Sequence, residues 1–217
     1  MMNFQQYFSN NAAASKPNPL QLLCKASLKT GEIPIDLKRA IITRTYVGGS
    51  RNLPKNYRPV ALASHWIKIL EKILPKNIHQ FLEPHQKMNP KQHGFRSGRS
   101  CLSQLLEQHN KILEDLEKSN NVDVIYLYFA KAFAKVDHGI LLNKLKKIGI
   151  SGEIGVWIHN FRSSRQQCVV INGTTSSEAQ VRSGVPQESV LGPILFLIHY
   201  IWYKLRNSGF NSIMLCR

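Results

Sequence analysis

The sequence predicts an α+β fold. Strand-type segments alternate with amphipathic helical segments along the chain. The clearest turn signal, Asn172-Gly173, joins two neighbouring strand-type runs as a hairpin rather than through a crossover. The stretch Val122–His138 (VDVIYLYFAKAFAKVDH) opens as a β-branched and aromatic run without Gly or Pro, and closes in small and basic residues that turn into a short helix. With 217 residues, 43% of them apolar, the chain has material for one domain or two small lobes with an ordinary core.

In chain order, residues 1–17 are polar and Asn-rich and read as a loose leader. Leu20–Leu28 has helical apolar spacing, ended by Thr30-Gly31. Ala40–Tyr46 reads as a strand, followed by a loop marked by Gly48-Gly49-Ser50 and Pro54. After Asn56–Leu62, Ser64 is the expected N-cap of a helix with Trp66, Ile69, Leu70, Ile73 and Leu74 on one face. Pro75 should kink or break that helix, since a straight one costs about 3 kcal/mol there.

A basic, Gly-punctuated loop spans Asn89–Ser100, and Leu102, Leu105, Leu106, His109, Leu113 and Leu116 then outline an amphipathic helix. The buried strand expected from Val122 to Phe129 leads to helices over Ile140–Ile148 and Ser151–Phe161. The hairpin about Asn172-Gly173 follows, then the loop Ser183–Pro193 and an apolar helix from Ile194. From Trp202 on the pattern is lost.

The formal net charge of +16 is unevenly placed: from Ile35 to Ser100, 13 Lys or Arg face only Asp36, Glu71 and Glu83. Such a block suits a polyphosphate partner. Cys24, Cys101, Cys168 and Cys216 stand far apart without metal-ligand spacing, as in reduced intracellular proteins; nucleus and cytoplasm both remain open. The leader lacks the apolar core of a signal peptide, and no run approaches a membrane span, so no membrane partner is expected.

Four blocks carry chemistry. Tyr57-Arg58-Pro59-Val60 offers a planar guanidinium, suited to pairs of phosphate oxygens. Gln92–Ser100 (QHGFRSGRS) combines Arg96 and Arg99 with Gly94 and Gly98, which allow close backbone approach. Ser183–Pro193 (SGVPQESVLGP) is a loop running into an apolar helix, and Val122–His138 is the strand-to-turn block.

In this order and spelling the blocks resemble the reverse transcriptases of non-LTR (LINE- or jockey-like) retrotransposons. The resemblance spans roughly residues 20–201. It implies the fingers (about 33–120) and part of the palm (about 121–201) of a right-hand polymerase, within a partial domain at 18–201 and ahead of a divergent tail at 202–217. It also implies site residues: Arg58, Phe133 as sugar gate and Gln187 for the nucleotide, and Arg96, Arg99, Gly94 and Gly184 for nucleic acid. The implied partner is RNA or DNA of template–primer type, held weakly and without sequence preference. Oligomeric state is left open.

The chain departs from the family pattern where the chemistry is concentrated. The first motif reads LDFAKAFDKVDH in the family and LYFAKAFAKVDH here, so Tyr128 and Ala134 stand at its two aspartates. The first of these holds catalytic Mg2+ in intact relatives. Val47 replaces a Lys, and Glu188 replaces a Gly in the family's SGVPQGSVLGP. The four aspartates, Asp36, Asp115, Asp123 and Asp137, include no adjacent pair, and none follows 137, where the family carries FADD. On an extended strand Asp123 would face away from Tyr128 and lie roughly 17 Å along it.

No cofactor is therefore expected for this chain. The expected function is a decayed, truncated, inactive remnant of an RNA-directed DNA polymerase. The alternatives are a non-catalytic nucleic-acid-binding module and a translated fragment without function.

Overall fold

In the computed structural model, residues 19–126, 132–186 and 189–205 are described. The expected leader lies outside them, as do Tyr128, Gln187, Glu188 and most of the tail.

Helix α1 (Pro19–Thr30) starts on a proline, which loses nothing at a position whose N–H has no helical partner. It ends at Gly31, in the left-handed region with φ 72°. Strand β1 (Arg39–Tyr46) follows a 3-10 turn, and β2 (Tyr57–Ala63) folds back on it antiparallel, from Ala40 opposite Ala63 to Tyr46 opposite Tyr57. The Asn56–Leu62 segment, unassigned from sequence, is thus a sheet strand. On its other edge β1 pairs in parallel with β3 (Gln166–Ile171).

The hairpin expected at Asn172-Gly173 is present. Both residues have positive φ (49° and 82°), as a two-residue type I′ turn requires, and they join β3 to β4 (Thr174–Thr175). β5 (Ala179–Gln180) also pairs with β3, giving a mixed sheet of order β2-β1-β3-β4 with β5 off that path.

The core lies among the helices rather than on the sheet. Helix α2 (His65–Leu82) is capped by Ser64, whose hydroxyl accepts the Trp66 N–H. It buries Ile67, Leu70, Leu74, Ile78 and Leu82, while Trp66 and Ile69 face solvent. The buried face is therefore rotated from the expected one: Leu70 and Leu74 lie on it, Ile73 packs against its edge, and Ile67 is buried in place of Trp66 and Ile69. Pro75 does not break the helix. Buried side chains on both sides of it hold the rod together, and Asn77 Nδ2 donates to the Ile73 carbonyl at 2.6 Å.

Helix α3 (Cys101–Glu117) has a full capping box between Ser100 and Ser103. Its leucines do not form a core face, however. Leu102, Leu105, Leu106, Leu113 and Leu116 are all exposed, and Gln104 is the buried position.

The strand expected from Val122 is also corrected over its described part. Residues 121–126 have no secondary structure, and Ile125 is 79% exposed. A strand is made by its ladder partners, and no described strand pairs with this segment, so high β-propensity alone leaves it irregular. The spacing expected between Asp123 and Tyr128 runs outside the described residues.

Helices α4 (His138–Ile148) and α5 (Gly152–Arg162) form as expected, joined through Gly149 at φ 95°. Helix α6 (Gly192–Leu205) begins slightly ahead of Ile194 and continues past Trp202, where the sequence pattern had faded. Among the described residues no helix is long and apolar enough to cross a membrane.

One core position is costly. Arg162 is 1% exposed, and its Nη2 donates to the His138 carbonyl at 3.3 Å, but Nε and Nη1 find no partner among the described residues. Burial pulls its pKa down to about 10, with Asp137 opposing. Replacing a poorly compensated buried ion with an apolar side chain of similar volume is often stabilising, by about 1–4 kcal/mol. Arg162→Met is expected to raise the denaturation midpoint; a fall would mean that the guanidinium is fully compensated.

Candidate nucleic-acid interface

The β1–β2 hairpin ends in paired aromatics and cations. Cross-strand neighbours Tyr46 and Tyr57 have ring centroids 5.6 Å apart. The Arg44 guanidinium lies over Tyr57 at 5.1 Å and that of Arg51 over Tyr46 at 5.2 Å, so arginine flanks each ring. Tyr57 Oη donates to the Arg51 carbonyl at 2.8 Å, Tyr46 Oη donates to the Gly49 carbonyl, and Asn56 Nδ2 ties down Ser50. Arg58, opposite Thr45, is exposed and makes no ion pair with the described residues. The hairpin thus carries Arg44 in β1 and Arg51 in its braced loop beside the paired rings, while Arg58 in β2 lies on the opposite face of the two strands, with Thr45.

The Gln92–Ser100 loop is built differently. Arg96 meets Glu83 fork to fork, Nε to Oε1 and Nη2 to Oε2 at 2.6 Å each, and Nη1 donates to the Asn89 carbonyl at 2.9 Å. This guanidinium fastens the loop to the end of α2, and it holds the Glu83 carboxyl below its ordinary pKa. Arg99 is half-buried and lies 3.8 Å from Glu107.

Beneath it His93 is buried, with Nδ1 2.8 Å from Ser103 Oγ and Nε2 2.9 Å from Glu107 Oε2. When Nε2 carries the proton it donates to Glu107, and the 3.1 Å approach of Arg99 Nη1 to that nitrogen is then a packing contact. Gly94 accepts from Gln92 Nε2 through its carbonyl at 2.8 Å. The positive φ values fall on Phe95 (57°) and Gly98 (71°) rather than on Gly94.

The Ser183–Pro193 loop clasps the turn after the opening motif. Gly184 N–H donates to the Val136 carbonyl at 3.0 Å, Val185 N–H to Phe133 at 2.9 Å, and His138 Nε2 to the Gly184 carbonyl at 2.8 Å. Burial holds the His138 imidazole below its usual pKa, against the pull of that hydrogen bond. At the far end Glu71, buried on α2, accepts from Val190 N–H at 2.6 Å and Leu191 N–H at 3.2 Å through one oxygen.

Phe133 sits in a row of aromatics, edge-on to Phe95 at 6.2 Å and stacked on Phe196 at 5.1 Å. Asp137 caps α4 by accepting the Ile140 N–H at 2.8 Å, which lowers its pKa. Ala134 carries no ligand atom and is covered by the Ser183 hydroxyl at 3.3 Å from its carbonyl. Among the described residues no three His, Cys, Asp or Glu cluster so as to hold a metal.

The structure thus brings Phe133, Ala134 and Gly184 together, and places Arg96 and Arg99 on one loop against α2 and α3. Gln187 and Tyr128 lie outside the described residues. Sequence reasoning missed Glu71 and the His93–Ser103–Glu107 set. The available signal for Glu71 was a lone acid in register with Ile67, Leu70 and Leu74.

Residues 46–203 match the family model described as reverse transcriptase (RNA-dependent DNA polymerase). The chain belongs to the reverse transcriptase family.

Its similar relatives come from non-LTR mobile elements. It is 32% identical over 180 residues to the RNA-directed DNA polymerase from mobile element jockey of Drosophila funebris, covering 82% of this chain and 20% of that protein. The jockey polymerase of Drosophila melanogaster is 28% identical over 180 residues with the same coverage. A retrovirus-related Pol polyprotein from type-1 retrotransposable element R2 of Popillia japonica is 26% identical over 170 residues, 78% of this chain and 23% of that protein. This reverse transcriptase chain therefore spans about a fifth of the length of the jockey relatives.

Proposed function

We propose that this chain is a non-polymerising remnant of a retrotransposon RNA-directed DNA polymerase that binds RNA or DNA weakly and without sequence preference. It corresponds to fingers (about 33–120) and partial palm (about 121–201), with 1–17 as leader and 202–217 as tail. The observation that carries the reading is the spelling of the opening motif, with Tyr128 and Ala134 at its aspartates, in a chain that keeps the surrounding blocks. Two-metal phosphoryl transfer needs clustered carboxylates, and a neutral phenol is a poor magnesium ligand. The remaining motif carboxylate, Asp137, is engaged as a helix cap, so the residues described do not fit a catalytic metal pair.

Arg58 with Arg44 and Arg51 on the hairpin, and Arg99 on the loop, are the cations that this reading assigns to phosphates. Arg96 holds the loop in place, Gly94 and Gly184 shape the backbone, and Phe133 and Gln187 are remnants of the nucleotide site.

Purified protein given primer–template, labelled deoxynucleotides and Mg2+ or Mn2+ is expected to incorporate nothing above background; incorporation abolished by chelation would overturn the catalytic half of the reading. Binding should fall steeply with salt. The pair Arg58→Ala with Arg99→Ala should weaken it alike for all sequences and flatten the log–log salt slope by roughly 2, the value for two lost phosphate contacts. An unchanged slope would make the basic surface a solvated face only.

A further inference from the structure

Helix α3 turns its apolar side outward. Gln104 is its buried residue, and none of its side chains joins the hydrophobic core among the described residues. Leu102, Leu105, Leu106, Leu113 and Leu116 are 44–65% exposed, with exposed His109 at the middle of their stripe. Counted from His109, apolar residues stand three, four and seven positions away in both directions: Leu106, Leu105 and Leu102 before it, Ile112, Leu113 and Leu116 after it. The stripe therefore reads the same from either end. Its rim is charged unequally. The helix carries Glu107, Glu114, Asp115 and Glu117 against Lys111 alone, in a chain of net charge +16. Three of those acids lie in its last turn, and Arg99, part-exposed, stands just ahead of its first.

We propose that α3 pairs antiparallel with α3 of a second copy of this chain, the two-fold axis passing at His109. A two-fold contact uses the same patch on both copies, so the patch must complement itself, and a stripe symmetric about its midpoint does. Leu102 then meets the partner's Leu116, and Leu105 meets the partner's Leu113. The charges agree with this direction, because each acidic last turn reaches the partner's Arg99, whereas a parallel pair would set acid against acid. Ten exposed leucines from two copies can bury about 1,000 Å², the size that a specific interface needs. The acidic rim repels phosphates and anionic lipid, which separates this face from the basic hairpin. The pairing does not depend on the chain's binding nucleic acid.

The test is sedimentation equilibrium of the nuclease-treated full chain over roughly 1–100 µM, the range in which a modest interface titrates. A monomer–dimer equilibrium is expected. Leu105→Glu with Leu113→Glu should weaken it at least about a hundredfold and leave the helical circular dichroism unchanged, because neither leucine belongs to the core. On mild oxidation His109→Cys should join two copies by a disulfide at position 109, scored by peptide mass. The exposed Cys101 residues, set at opposite ends of the pair, should not join each other. A monomer at every concentration would give the face to a different protein and overturn the proposal. So would a dimer untouched by the two glutamates, assembly beyond two copies, or a disulfide between the two Cys101 residues. Should the glutamate variant fail to fold, the His109→Cys chain decides alone, and absence of its disulfide would overturn the pairing.

Discussion

Replacing Gly184 with alanine is expected to destabilise the protein by about 2–5 kcal/mol, combining left-handed backbone strain with overpacking against a rigid neighbour. Gly184 has φ 86°, and a Cβ there would stand 2.8 Å from Ala134 Cα, 2.9 Å from the Ala134 carbonyl oxygen and 3.0 Å from that of Phe133. All three are backbone atoms, so no rotamer change relieves the contact. The loop would have to retreat, releasing its hydrogen bonds to Phe133, Val136 and His138. Gly173 supplies the control, because it has φ 82° but open space around its missing Cβ. Gly173→Ala should show the backbone strain alone, about 1–2 kcal/mol. Equal shifts in urea midpoint for the two variants would mean that the loop does not rest on the turn.

The loop's other end gives the second large effect. Glu71→Ala is expected to cost about 3–5 kcal/mol, the usual result of removing one member of a buried, hydrogen-bonded charged set. The side chain is 1% exposed, and its loss would leave the Val190 and Leu191 N–H groups without an acceptor at the start of α6. Buried Arg165, whose charge the carboxylate offsets, would lose its counter-ion.

Burial raises the Glu71 pKa, only partly countered by the two N–H groups, Arg165 and Lys68. A raised folded-state value means the native chain holds this proton more tightly than the unfolded chain does. The group's contribution is then largest in acid and is lost as pH rises through the raised value. Glu71→Gln keeps an acceptor and cannot titrate. It should be milder than Glu71→Ala and should remove this component of the pH dependence. A pH profile unchanged in Glu71→Gln would show that the carboxyl titrates normally.

These sites show what a sequence can and cannot disclose. The turn at Asn172-Gly173 and the Ser64 cap are written in local chemistry, and both occur. Motif order likewise identified the family. What could not be read depends on partners distant in the chain. Ile67 is buried and Trp66 exposed because of what packs on α2, and the α3 leucines satisfy helical periodicity while facing outward. Arg96 and Arg99 look equivalent in QHGFRSGRS, yet Glu83 takes hold of one and leaves the other half-buried on the surface. Val122–Tyr126 has strand composition without a described ladder to join.

The central position of β1 bears on how the chain reaches this structure. Its antiparallel partner is a near neighbour, but its parallel partner begins at Gln166, opposite Arg39. More than a hundred residues separate the two strands, and the loop-closure entropy of that span must be overcome before the parallel register contributes anything. During synthesis the β1–β2 hairpin and α2 can form as soon as they emerge, whereas one edge of β1 stays open until the ribosome has delivered β3. Through that interval the nascent chain exposes an unpaired strand edge, the kind of surface that recruits chaperones or a neighbouring nascent chain. Production of this protein is thus most vulnerable in the interval between emergence of β1 and arrival of β3, and a slower passage through α3 to α5 would lengthen that interval.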